Sequence, residues 1–112
     1  MDDCIFCRIA RGDIPSDIVL EDAGFVAFRD IHPKAAEHVL VVPREHIASL
    51  NDLEGRPGDT GHLLLQFIVK VATKLGIAES GYRALTNVGP DGGQEVQHLH
   101  FHIVGGEVLA DF

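Results

Sequence analysis

His98-Leu99-His100-Phe101-His102-Ile103-Val104 sets three histidines alternating with apolar residues, and its reading decides the class of fold. Alternation of period two marks a β-strand, on which residues i, i+2 and i+4 point the same way. His98, His100 and His102 are therefore expected on one face of a strand, with Leu99, Phe101 and Ile103 on the other. A helix would fan the same rings apart, since each step of two turns the chain by about 200°. Histidine is a poor core filler and is costly to crowd when protonated, so the row calls for a purpose. Two chemistries fit it: ligation of a metal by all three imidazoles, or attack by the central ring on a carbonyl or phosphorus centre. A solvated strand that happens to carry histidines is the plain alternative. An expression tag is disfavoured by the patterned apolar residues between the histidines.

Upstream of this stretch lies Val88-Gly89-Pro90-Asp91-Gly92-Gly93-Gln94, a turn whose glycines let backbone N–H groups approach an anion. Tyr82 to Asn87 reads as another strand. From Thr60 to Leu75 the apolar residues Leu64, Phe67, Ile68, Val71, Ala72 and Leu75 recur at helical spacing, with Gly76 as a natural stop. Leu65 and Val69 widen that band beyond one core face, which points to a partner surface. His38-Val39-Leu40-Val41-Val42-Pro43 is almost continuously apolar, the mark of a central strand covered on both faces. Ile18 to Glu21 and Phe25 to Phe28 form a hairpin around Asp22-Ala23-Gly24. Cys4 to Ala10 reads as a short helical turn, Ile47 to Leu53 as a brief helix and Asp30 to Lys34 as a loop. The class is α+β, an antiparallel sheet of about five strands with one long helix packed on it and short helices around it.

With 112 residues and 12.1 kDa, residues 1–112 make a single domain whose 46% hydrophobic content builds a modest core. Nine Lys and Arg against 17 Asp and Glu give a net charge of −8, which argues against nucleic acid or an anionic membrane as partner. An anionic ligand must then be held by local devices. No stretch is long enough to span a membrane and the acidic start Met1-Asp2-Asp3 is unlike a secretory signal, so a cytoplasmic location is expected. In that reducing setting Cys4 and Cys7, spaced C-x₂-C, leave metal binding, redox chemistry or simple packing as the choices. His32 and His62 carry no assigned role and are expected on the surface.

The triple-histidine stretch matches the signature of the histidine triad superfamily. Ala27-Phe28-Arg29-Asp30-Ile31, the strand His38 to Pro43, Gly81-Tyr82-Arg83 through Asn87, and Asp91-Gly92-Gly93-Gln94 resemble its Hint branch. The similarity runs from Ile5 to Gly106. It implies a homodimer across which the sheet continues, a purine nucleotide ligand of the AMP or GMP type, and hydrolysis of nucleoside 5′-phosphoramidates or acyl-adenylates. By the same resemblance His100 is the nucleophile that forms a nucleotidyl-histidine, with its second nitrogen pinned by the backbone carbonyl of His98. His102 and His38 surround the phosphate, and His38 or an associated water helps move the proton to the departing amine.

Phe6, Ile9, Phe28, Ile31 and Leu40 would wall the purine slot and Asp30 would take the ribose hydroxyls. Asn87 and the backbone N–H groups around Gly93, Glu95 and Val96 would complete the phosphate cradle. No cofactor is required for this chemistry. Bacterial members with a cysteine pair imply a structural zinc on Cys4, Cys7, His46 and His98. Two departures stand out: Glu95 occupies a place where some relatives have serine, and the tail from Glu107 to Phe112 lacks a tryptophan that some relatives carry. An adaptor or sensor that binds purine nucleotides with residual turnover, a diadenosine polyphosphate hydrolase, and a metal store are the competing functions.

Overall fold

The computed structural model describes residues 3–111; Met1, Asp2 and Phe112, at the acidic start and the end of the tail, lie outside them. Helix α1 (Ile5–Ala10) leads into strands β1 (Ile18–Glu21), β2 (Phe25–Arg29) and β3 (Glu37–Pro43). A 3-10 turn at Leu50–Leu53 precedes helix α2 (Thr60–Leu75), and β4 (Tyr82–Leu85) and β5 (Phe101–Gly105) complete one antiparallel sheet in the order β1-β2-β3-β5-β4. The most apolar strands, β2 and β3, are interior, as continuous hydrophobic runs require.

The two sheet faces have different tasks. Ala27, Val39, Val41 and Ile103 turn toward α2 and meet Leu64, Phe67, Ile68, Val71 and Ala72 in the main core. Those five belong to the six helical-spacing residues of the sequence, the sixth, Leu75, packs partly buried against the same core, and Gly76 closes the helix in the left-handed region at φ 76°. Leu63, Leu65 and Val69 stay exposed on the outer side of α2. The opposite sheet face carries a smaller cluster in which Phe6 and Ala10 of α1 cover Val26, Phe28, Leu40 and Val42. Among the described residues no helix is long and apolar enough to cross a membrane.

The strands are shorter than the alternation suggests. The β4 strand ends at Leu85 rather than Asn87, the helix expected from Ile47 is confined to Leu50–Leu53, and the histidine strand begins at Phe101 rather than His98. Pro43 explains the last difference. Val41 pairs with Phe101, so a longer ladder would bring Pro43, which has no N–H, opposite the histidine segment. The groups left over are satisfied otherwise: Leu99 N–H donates to Ile47 O at 2.6 Å, and the His98 ring donates to Pro43 O at 2.8 Å.

Candidate active site

Strand register places the polar side chains on the α1 face. Leu85 pairs with His102, His102 with Leu40 and Leu40 with Phe28, forming one row across the sheet. Arg83, Val104 and His38 form the next row, and Asp30 follows where its N–H donates to His38 O at 3.0 Å. These rows floor a cavity of about 590 Å³. Phe6, Leu40 and Val96 give it an apolar wall beside His100, and His38, His100 and His102 make its middle. Asp30 and Lys34 form the side next to His38, and Arg83 with the tail residues Leu109 to Asp111 the side beyond β5.

The histidines do not act as one row. His100 and His102 reach the cavity with their ring centroids 5.2 Å apart, while His98 is fully buried and turned to the cysteines instead. His38, from the neighbouring strand, supplies the third ring at the cavity and lies 5.2 Å from His102.

The hydrogen bonds assign the tautomers. His100 Nδ1–H donates to His98 O at 2.8 Å, so the lone pair of the neutral ring resides on Nε2. Thr86 holds the same residue from the other side, its hydroxyl donating to His100 O at 2.7 Å. The edge of Phe6 packs on the ring with centroids 5.1 Å apart. Lys34 N–H donates to His38 Nδ1 at 3.0 Å, which puts the proton of neutral His38 on Nε2. That proton is donated to His102 Nδ1 at 2.9 Å, so His102 keeps its own N–H on Nε2. Burial is the main force that keeps both rings neutral. The neighbouring His100, His38 and Lys34 add to it at His102, whose pKa falls to about 4 although Asp30 opposes the shift. His38 is lowered too, by burial and Lys34, against the pull of Asp30 at 3.5 Å.

Cys4, Cys7, His46 and His98 bring four ligand atoms within 4.8 Å of one another. Cys4 caps α1, its Sγ accepting from Cys7 N–H at 3.3 Å. His98 Nε2–H is committed to Pro43 O, so the free lone pair on Nδ1 faces Cys4 Sγ at 3.2 Å and Cys7 Sγ at 3.4 Å. His46 Nδ1 lies 3.2 Å from Cys7 Sγ. Two thiols and two imidazoles, one already locked in the ligating tautomer with a carbonyl behind it, fit tetrahedral zinc. Burial, with Cys4 beside it, raises the Cys7 thiol to about 11, so without a cation it stays protonated. Asp30, His38 and His102 also lie within 4.8 Å, but Lys34 N–H occupies the Nδ1 lone pair of His38 and leaves a proton on the Nε2 that would have to ligate. That trio is a hydrogen-bonded chain rather than a metal cradle.

Several expected contacts fall elsewhere. Phe6, Asp30, Leu40, Asn87, Gly93, Glu95 and Val96 line the cavity, whereas Ile9, Phe28 and Ile31 do not. Phe28 is buried behind Phe6 at a centroid distance of 5.6 Å, Ile9 packs on the same cluster, and Ile31 is 85% exposed on its loop. The loop turns there because Asp30 Oδ1 accepts from His32 N–H at 2.8 Å, and His32 itself stands on the cavity rim. Gly93 cannot offer its N–H to an anion, for it donates to Pro90 O at 3.1 Å. The N–H groups of Glu95 and Val96 have no acceptor among the described residues. Gly92 is required for another reason: a Cβ there would collide with the Val88 carbonyl.

Sequence reading passed over Gln94, Thr86, Lys34 and Arg83. Gln94 is a buried bolt that donates to Ala48 O at 2.8 Å and Val96 O at 3.0 Å and accepts from Gly89 N–H at 3.0 Å. Its partners are distant or backbone atoms, which leave no pattern in sequence.

A cavity on an antiparallel sheet lined by tautomer-locked imidazoles is suited to histidine chemistry, and comparisons with known proteins give the family. The family model described as the HIT domain matches residues 11–109, and the chain belongs to that family. An Escherichia coli protein named purine nucleoside phosphoramidase is 42% identical over 108 residues, covering 96% of this chain and 91% of its own. A solved histidine triad protein from Clostridium difficile superposes with a TM-score of 0.95 at 45% identity, covering 100% of this chain and 97% of its own. A HIT family hydrolase from Legionella pneumophila gives 0.91 at 42% identity, with 96% of each chain covered.

Proposed function

We propose that the protein hydrolyses purine nucleoside 5′-phosphoramidates or acyl-adenylates through a nucleotidyl-histidine on His100. The observation that carries this reading is the His98 carbonyl on His100 Nδ1, which leaves Nε2 as the nucleophilic lone pair in a ring on the cavity wall. Nε2 attacks the α-phosphorus, the P–N bond (P–O in an acyl-adenylate) breaks, and in the phosphoramidate case a water beside His38 gives a proton to the departing amine, which the water that later attacks phosphorus returns. Water then attacks phosphorus, the P–Nε2 bond breaks, and nucleoside monophosphate leaves. His102 Nε2–H and the N–H groups of Glu95 and Val96 are donors for the phosphoryl oxygens, where charge builds in the transition state. Phe6 and Leu40 offer the apolar slot for a purine and Asp30 an acceptor for ribose hydroxyls. The name of the Escherichia coli relative supports the same substrate class.

Zinc on Cys4, Cys7, His46 and His98 would supply structural fixation, outside the reaction itself. A homodimer is supported by the exposed apolar stripe Leu63, Leu65 and Val69 on α2. The test of the function is turnover of adenosine 5′-phosphoramidate with intact-mass detection of an adenylylated peptide at His100. His100→Asn should reduce kcat by at least about 10³-fold, as loss of a covalent nucleophile does. Equal product formation by both proteins would defeat the reading. A purine binder without turnover would point to the adaptor function, and preferential cleavage of diadenosine polyphosphates to the rival hydrolase.

A further inference from the structure

The far end of the cavity carries an arrangement that the chemistry at phosphorus does not use. In a chain of net charge −8, four of the six arginines, Arg11, Arg29, Arg44 and Arg56, pair with a carboxylate, and among the described residues Arg8 and Arg83 do not. Arg83 has no carboxylate partner among the described residues. Its guanidinium donates instead to a single backbone acceptor, Ala110 O, at 3.0 Å. Lys34 lines the cavity on the opposite side, where its N–H meets His38 Nδ1 at 3.0 Å and its charge is felt by both His38 and His102. Asp111, next to Ala110 on the tail, also lines the cavity, as do Asp30 and Glu95.

Register fixes where this end lies. Arg83 pairs with Val104 and Val104 with His38, so Arg83 stands two strand spacings, about 10 Å, from His38. The apolar slot of Phe6 and Leu40 is on the other side of the histidines. A nucleotide whose base enters that slot and whose phosphorus meets His100 therefore directs its leaving group toward Arg83.

We propose that Arg83 is a specificity-determining residue that recognises a carboxylate on the leaving amine, so that a phosphoramidate carrying a free carboxylate there is favoured over its neutral amide. This rests on the proposed function above. Ala110 O marks where an acceptor oxygen sits, and a substrate carboxylate takes its place with two oxygens and a full charge, the match a planar guanidinium is built for.

The test compares adenosine phosphoramidates of alanine and of alaninamide, which differ at the carboxyl group, on wild type, Arg83→Gln and Arg83→Lys. The wild type should favour the alanine compound. In Arg83→Gln the ratio of the two kcat/KM values should fall about tenfold, and Arg83→Lys should restore part of it. A merely structural role for Arg83, through its hold on the tail, changes both substrates alike and leaves the ratio unmoved. An unchanged ratio in Arg83→Gln overturns the inference. If wild type turns over neither compound, it is the parent reading that fails, and calorimetric titration of the two compounds decides the inference alone: the ratio of their Kd values must still collapse in Arg83→Gln.

Discussion

The main-chain carbonyl of His98 accepts the Nδ1–H of His100 at 2.8 Å, while the ring of the same His98 faces Cys4 and Cys7 at 3.2 and 3.4 Å. One residue thus belongs to two constellations. Its backbone sets the tautomer of the proposed nucleophile, and its side chain ties helix α1, with Phe6, to the segment that leads into β5.

Zinc content follows from that cluster. Untagged protein should contain one zinc per chain, and prolonged chelation should lower Tm by several degrees, because binding to the native state alone adds stability. Cys7→Ser should lose both the metal and the response to chelator. Metal analysis with calorimetry checks it, and a zinc-free protein with an unchanged Tm would refute it.

Stability should fall in mild acid. His102 is held at about 4 by burial and by His100, His38 and Lys34, against Asp30, whereas the unfolded chain titrates it near 6.5. Between those values the unfolded state binds more protons, so stability is full above about pH 6.5 and declines as pH drops toward 4. His102→Asn should flatten that part of the pH profile of Tm. Parallel profiles for wild type and variant would count against it.

Gln94 should matter far more than its place in a loop suggests. Its side chain satisfies Ala48 O, Val96 O and Gly89 N–H, and Gln94→Ala leaves these partly buried groups short of partners. A loss of about 2 kcal/mol is expected in urea unfolding, with weaker nucleotide binding.

The α2 stripe predicts association. Leu65→Glu, at an exposed position, should leave the monomer fold intact by circular dichroism and convert a dimer to a monomer in sedimentation equilibrium. A wild type that sediments as a monomer would refute the homodimer.

Helix α2 was legible to the residue, Thr60 to Leu75, because sixteen positions repeat one period and a glycine stops it. The hairpin of β1 and β2 and the covered strand β3 were legible for the same reason, since local pattern and burial coincide there. The histidine segment was legible only in part. Alternation placed Leu99, Phe101 and Ile103 in the core as expected, but it could not show that His98 leaves the cavity for the cysteines. Ile31 was not legible either: an apolar residue in a loop has no periodicity to reveal its side, and the Asp30 turn leaves it exposed.

Sequence by itself determined the sheet, the long helix, the chemistry-bearing residue types and the likeness to the histidine triad proteins, because these depend on short-range periodicity and on motif. Only the tertiary structure decided which ring nitrogen carries each proton, that Gly93 is already bonded, and that Arg83 lines the cavity with its guanidinium on Ala110 O. Those facts depend on partners such as Pro43, Lys34 and Ala110, whose approach is set by strand register and loop closure. Neither leaves a local trace in the order of amino acids.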